Sequence, residues 1–151
     1  MKSLLPVAAV LLLGASSALA HGPETPAEQA IHYRQGLYSA IGWNFGAMGA
    51  VVKGSAPFEK ASFAAHAAHV AALGEMLPEA FPEGSFIEHK TEAKRAIWEH
   101  RAEFNDLMKR FQEKATILAD VAKSGSLEKI KPAFQDVRQS CKACHEKFKE
   151  D

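Results

Sequence analysis

Ile97, Phe104, Met108, Phe111, Ala115 and Leu118 recur at intervals of three, four and seven residues, which puts them on one side of a long helix. Such a helix cannot bury its stripe alone and demands helical partners. No run of alternating β-branched and polar residues supplies strands instead, and Ala, Glu, Lys and Leu dominate the segments between breakers. Stop and start signals divide the chain into four helices. The first begins at Thr25, whose hydroxyl can cap it while Glu28 closes a capping box and Pro26 takes the first helical position. It runs to about residue 53 and ends at Gly54. After a turn at Ala56-Pro57, the second helix occupies roughly residues 58–76, and a loop with Pro78, Pro82 and Gly84 follows to about residue 87. The third runs from near Thr91 to residue 123. Ser124-Gly125-Ser126 breaks it, and Ser126 caps a fourth that reaches residue 149, with Pro132 early in it. Two short connections and one longer loop predict an all-α, antiparallel four-helix bundle. Bundles serve many functions, so this alone excludes little.

The first twenty residues read as a signal peptide: Lys2, an apolar run over residues 4–13, then Ala18-Leu19-Ala20 as a cleavage site. That run is shorter than the about 20 residues a bilayer needs, and no later stretch is long and apolar enough. The expectation is a signal peptide over residues 1–20, one domain over residues 21–151 starting at His21, and a soluble periplasmic protein with no membrane insertion. Eighteen basic and eighteen acidic residues are interspersed as on solvated helix faces. No basic stripe with interleaved aromatics speaks for nucleic acid.

Chemistry concentrates in Cys141-Lys142-Ala143-Cys144-His145. A disulfide between cysteines so close would remove little chain entropy. On a helix, C-x-x-C-H suits covalent haem attachment: two thiols add to two vinyl groups, and the adjacent histidine turns its imidazole to the iron. A thioredoxin-like dithiol needs a preceding strand, and none is predicted. A structural zinc site needs a second ligand pair, for which only His66 and His69 are candidates.

A C-terminal attachment motif, a signal peptide and four helices together resemble the cytochrome c prime family, the class II cytochromes c. Tyr33-Arg34-Gln35 followed by Gly42-Trp43-Asn44-Phe45-Gly46 is similar to the family's opening helix. Ile97-Trp98 and residues 134–137 match as well, while residues 81–87 are the most divergent part. The resemblance implies one covalent haem c per chain, held by Cys141 and Cys144, with His145 as the proximal iron ligand. It implies that Arg34 and Gln35 contact the propionates, a role that suits a guanidinium fork. The family's distal residue lies four positions after this Arg and is Tyr38 here. Lys149 matches a basic position near the proximal histidine, and Thr91 and Glu92 lie where the loop into the third helix meets the haem. Helical geometry agrees: Arg34, Tyr38, Ile41 and Phe45 share a face at about 100° per residue.

Bland readings stand beside these. Tyr38 alone would be a core aromatic, Arg34 a surface charge, Trp98 a packing residue, and Lys149 a solvated cation favoured by the helix dipole. His66 and His69 would be partly exposed or interface residues. Met48 lies ten residues beyond Tyr38, about 15 Å along the axis and too far to ligate the same iron, and Met76 and Met108 fall on other helices. A phenol with pKa near 10 stays neutral. The iron is therefore expected to be five-coordinate and to bind nitric oxide and, less tightly, carbon monoxide. Electron transfer with a periplasmic redox partner is a second role. The alternatives are a six-coordinate low-spin electron carrier, a haem-free helical adaptor or metal chaperone using His66 and His69, and a peroxidase. The last lacks a distal His and Arg acid–base pair, so no enzyme activity is expected. Small-residue stretches at residues 46–50 and 64–72 permit close helix approach, and the resemblance implies a homodimer through the first two helices.

Overall fold

A computed structural model describes residues 24–150. The expected signal peptide and the mature start at His21 lie outside the described residues. Helix α1 (Pro26–Val52) starts as its sequence dictates: Thr25 Oγ1 accepts from Glu28 N at 3.2 Å, and Glu28 returns a carboxylate oxygen to Thr25 N at 2.9 Å. It stops where Gly54 turns left-handed (φ +78°), which lets Ser55 N reach back to Ala50 O at 2.9 Å. Helix α2 (Lys60–Met76) begins two residues later than expected, because Glu59 is extended and Phe58 instead packs edge-on against Phe63. A 3-10 turn, Leu77–Ala80, leads into the loop.

The predicted third helix is the clearest departure. Residues 92–94 do not coil but pair with the chain end: Lys94 N donates to Phe148 O at 2.9 Å and Glu150 N to Glu92 O at 2.7 Å. Backbone groups used in that bridge cannot serve a helix. A single turn, α3 (Ala96–Glu99), follows; His100 (φ −120°, ψ 45°) interrupts it, and α4 (Arg101–Ser124) carries the apolar stripe. Side chains secure the break, with Trp98 Nε1 donating to Pro82 O and an Arg101 nitrogen to Phe81 O. Helix α5 (Leu127–Phe148) starts after Ser126, whose backbone is extended and whose carbonyl accepts from Lys129 N and Ile130 N. Its hydroxyl makes no capping bond, contrary to expectation.

The four long helices form the expected bundle, with α1 on α2, α2 on α4 and α4 on α5. Met48, Phe63, Val70, Leu118, Ile130 and Val137 fill its centre. Helices α1 and α5 are the loosest neighbours. They close at one end, where the rings of Phe45 and Phe134 stack at 4.3 Å, and part towards the other. Gly74 on α2 also matters to that opening: a Cβ there would lie 2.9 Å from Phe111 Cε1, so only glycine lets this ring take its place.

Candidate functional site

Where α1 and α5 part, a cavity of about 520 Å³ opens, with a floor from α4. Ile41, Phe81, Ile97, Phe104, Phe111 and Phe148 make its walls largely apolar. All nine residues singled out from sequence border it: Arg34, Gln35, Tyr38, Thr91, Glu92, Cys141, Cys144, His145 and Lys149.

One wall is α5. Cys141 and Cys144, three apart, fall on the same face, half-buried and unpaired. Burial pushes both thiols up to about 11, so they stay protonated at neutral pH. His145 borders both this cavity and a groove on the outer side of α5, spanning the rim between them. Burial lowers its pKa, Lys149 lowers it further and Glu92 opposes, which leaves the imidazole neutral with a lone pair to give. Lys149 Nζ in turn sits 3.0 Å from Glu92 Oε2, tying the chain end to the mouth of the cavity. Thr91 Oγ1 accepts from Ala93 N at 3.1 Å and shapes the approach to the bridge.

The facing wall is α1. Arg34 is 2% exposed, not the surface charge its bland reading would make it. Its Nη1 donates to Ala80 O and to Ser85 Oγ at 3.2 Å each, and Nη2 donates to Ser85 O. The guanidinium lies 5.2 Å from the Phe81 ring centre and 5.6 Å from that of Trp98. Its Nε is buried without a partner. Gln35 Nε2 donates to Lys90 O at 3.2 Å, holding the loop before α3 against α1. Tyr38 packs edge-on against Phe81, centroids 6.4 Å apart. Burial pushes its phenol pKa well up, Cys144 and Cys141 add to this and Arg34 opposes, so it remains a phenol.

Met48 is fully buried in the core and absent from the cavity wall, and Met76 is 41% exposed on α2, whereas Met108 does border the cavity from α4. His66 and His69 lie on α2, away from the cysteines, so the two pairs cannot share a zinc ion. Sequence reasoning missed Phe81 and Ser85, which sit in the loop it judged most divergent yet are 3% and 1% exposed. A serine that anchors a buried arginine leaves no mark in sequence. Phe81, an aromatic among prolines and a glycine, was the one available signal.

The donor set fits a flat, apolar, anionic-edged cofactor: two thiols and an imidazole on one wall, greasy faces, and an orphaned guanidinium nitrogen. The molecule is thus defined as a helical bundle that carries a covalently attached tetrapyrrole. Comparison with known proteins agrees. A sequence profile described as Cytochrome C' matches residues 29–149. Cytochrome c' from Rubrivivax gelatinosus is 36% identical over 121 residues, which span 80% of this chain and 94% of the relative. Cytochrome c prime from Shewanella frigidimarina superposes with a TM-score of 0.80 at 42% identity, over 85% of this chain and 100% of that one. A nitric oxide complex of a mutant cytochrome c prime from Alcaligenes xylosoxidans gives a TM-score of 0.78 at 32% identity, covering 85% and 99%. A carbon monoxide-bound variant of it is similar too. The chain belongs to the cytochrome c' family, whose members carry one covalently bound c-type haem.

Proposed function

We propose that the chain is a periplasmic mono-haem cytochrome whose iron, held by His145 alone, takes nitric oxide and, less tightly, carbon monoxide on the Tyr38 side. One observation carries this reading. The α1 residues on the cavity wall are Arg34, Gln35, Tyr38, Ile41, Gly42 and Phe45, and none is a methionine or histidine. The one phenol among them, Tyr38, is kept protonated and so offers no anionic oxygen to the iron. The iron, when bound, supplies the site for a diatomic ligand and for one-electron exchange.

The chain's own residues do the rest. Each thiol of Cys141 and Cys144 would add across a vinyl group, sulfur to one carbon and its proton to the other, without net redox change. His145 would ligate the iron, and the Lys149–Glu92 pair steadies its surroundings. Arg34 would face a propionate, the negative partner its buried charge lacks. Gln35, by donating to Lys90 O, holds the loop that would border that edge. Tyr38, packed on Phe81, restricts the distal side to small ligands.

Binding and electron exchange, not catalysis, are the proposed activities. His145 is the only histidine on the cavity wall among the described residues, so a distal acid–base pair is missing. Periplasmic location follows from the sequence of residues 1–20; among the described residues no helix is long and apolar enough to cross a membrane. A homodimer is favoured by charge placement: residues 35–52 of α1 and 61–74 of α2 contain no Asp, Glu, Lys or Arg, and Trp43 is 79% exposed.

Met108 on the cavity wall supports a second reading, a six-coordinate low-spin electron carrier. Visible spectra of the matured protein, ferric and ferrous, with and without nitric oxide, decide between them. A high-spin ferrous spectrum that changes with the gas is expected. A sharp low-spin spectrum indifferent to gas would mean that a sixth protein ligand exists, with Met108 the candidate on the wall, and would make electron transfer the function.

A further inference from the structure

Asn44 on α1 turns its side chain to α2, and its amide orientation is set: Nδ2 donates to Ala40 O at 2.8 Å, leaving Oδ1 towards α2. Two imidazoles meet that oxygen, His66 Nδ1 at 2.9 Å and His69 Nδ1 at 3.1 Å. His69 is exposed and His66 half-buried, on a helix face otherwise made of alanines and without a charged residue from 61 to 74. Among the described residues neither histidine has a carboxylate partner. Tethering α1 to α2 would need one histidine, not two on adjacent turns sharing one acceptor.

We propose that Asn44, His66 and His69 form a site for a divalent transition metal, with His66 Nδ1, His69 Nδ1 and Asn44 Oδ1 as ligands and water completing the shell. Tetrahedral Zn2+ with bonds of about 2.0–2.1 Å holds its ligand atoms about 3.3–3.4 Å apart. The two observed nitrogen–oxygen distances, 2.9 and 3.1 Å, open to that value by a few tenths of an ångström. Each imidazole moves its proton from Nδ1 to Nε2, which costs no change in charge. Imidazole and amide ligands suit Zn2+, Ni2+ and Cu2+, with Cu2+ held most tightly. Among the described residues no three His, Cys, Asp or Glu side chains gather in one place, so the amide oxygen is the third ligand and binding is modest, about micromolar. The site is separate from the haem cavity and lies on the α1–α2 face proposed above for the homodimer, so bound metal and a partner copy would compete for it.

The test is calorimetric titration of the holo-cytochrome with Zn2+ alone, for wild type, H66A, H69A, N44D and H32A, the last as a control histidine paired with Glu24. The expected result is one Zn2+ per chain lost or weakened at least about tenfold in H66A and H69A. N44D should tighten binding, since a carboxylate replaces the neutral amide, and H32A should leave it unchanged. The haem spectrum checks that every variant is folded. No heat of binding in wild type, wild-type affinity in H66A or H69A, or no gain in N44D would each overturn the assignment.

Discussion

Replacing Arg34 with methionine separates two jobs the guanidinium can have. As a loop anchor it makes three hydrogen bonds, to Ala80 O, Ser85 Oγ and Ser85 O. Bonds from a charged donor contribute about 1.5–3 kcal/mol each net of desolvation, so the three together supply about 4.5–9 kcal/mol. Burial with no carboxylate in reach lowers the Arg34 pKa. A methionine of similar length keeps the packing under Phe81 and Trp98 but leaves the Ala80 and Ser85 oxygens without their donor. Loss of the anchor alone therefore already costs several kcal/mol, so stability by itself does not identify a propionate partner. A propionate paired with Arg34 adds a second signature, because R34M then leaves a buried anion unpaired. Guanidinium unfolding of the holoprotein, followed by haem absorbance, reads the loss of stability, and the reduction potential should become more pH-dependent as the propionate titrates within range. A potential profile unchanged from wild type would refute the pairing, whatever the loss of stability.

Two further substitutions test the frame around the site. G74A sets a Cβ 2.9 Å from Phe111 Cε1 and pushes that ring towards the cavity. Overpacking of about 1–3 kcal/mol outweighs the about 1 kcal/mol that alanine returns to the helix, and a denaturation midpoint at or above wild type would contradict this. Glu28 is held down to about 2, first by its hydrogen bond from Lys90 and then by Thr25. A depressed carboxylate stabilises the fold above its unfolded pKa, near 4.3, and loses that contribution as pH falls towards the folded value. The stability gap between wild type and E28Q should therefore shrink as pH falls from about 5 to about 2, and a constant gap in pH-resolved melts would rule out the linkage.

What could be read from sequence follows the range over which each signal acts. The capping box at Thr25 and the left-handed stop at Gly54 are decided within a few residues, and both were legible. The C-x-x-C-H string is equally local, since helical spacing alone puts two thiols and an imidazole on one side of α5. The start of α4 was not legible. Residues 92–94 have nothing against coiling, but they pair with residues 148–150, more than fifty positions away. Ser126 shows the converse, a favourable cap residue with extended backbone whose hydroxyl makes no capping bond.

Arg34 is the most instructive case. Its position on the helix face pointed to the cavity, but its burial depends on Trp98 of α3 and on Phe81 and Ser85, which come from a loop whose sequence looked least informative. That loop is not filler between α2 and α4. It takes two of the guanidinium's three nitrogens on its carbonyls and hydroxyl, and leaves the third buried without a partner. A propionate arriving with the cofactor would give this buried charge the anionic partner that no described side chain supplies. Stability of this end of the bundle and occupancy of the cavity are thus one linked quantity, and changes in residues 81–85 should disturb the haem environment without touching the haem.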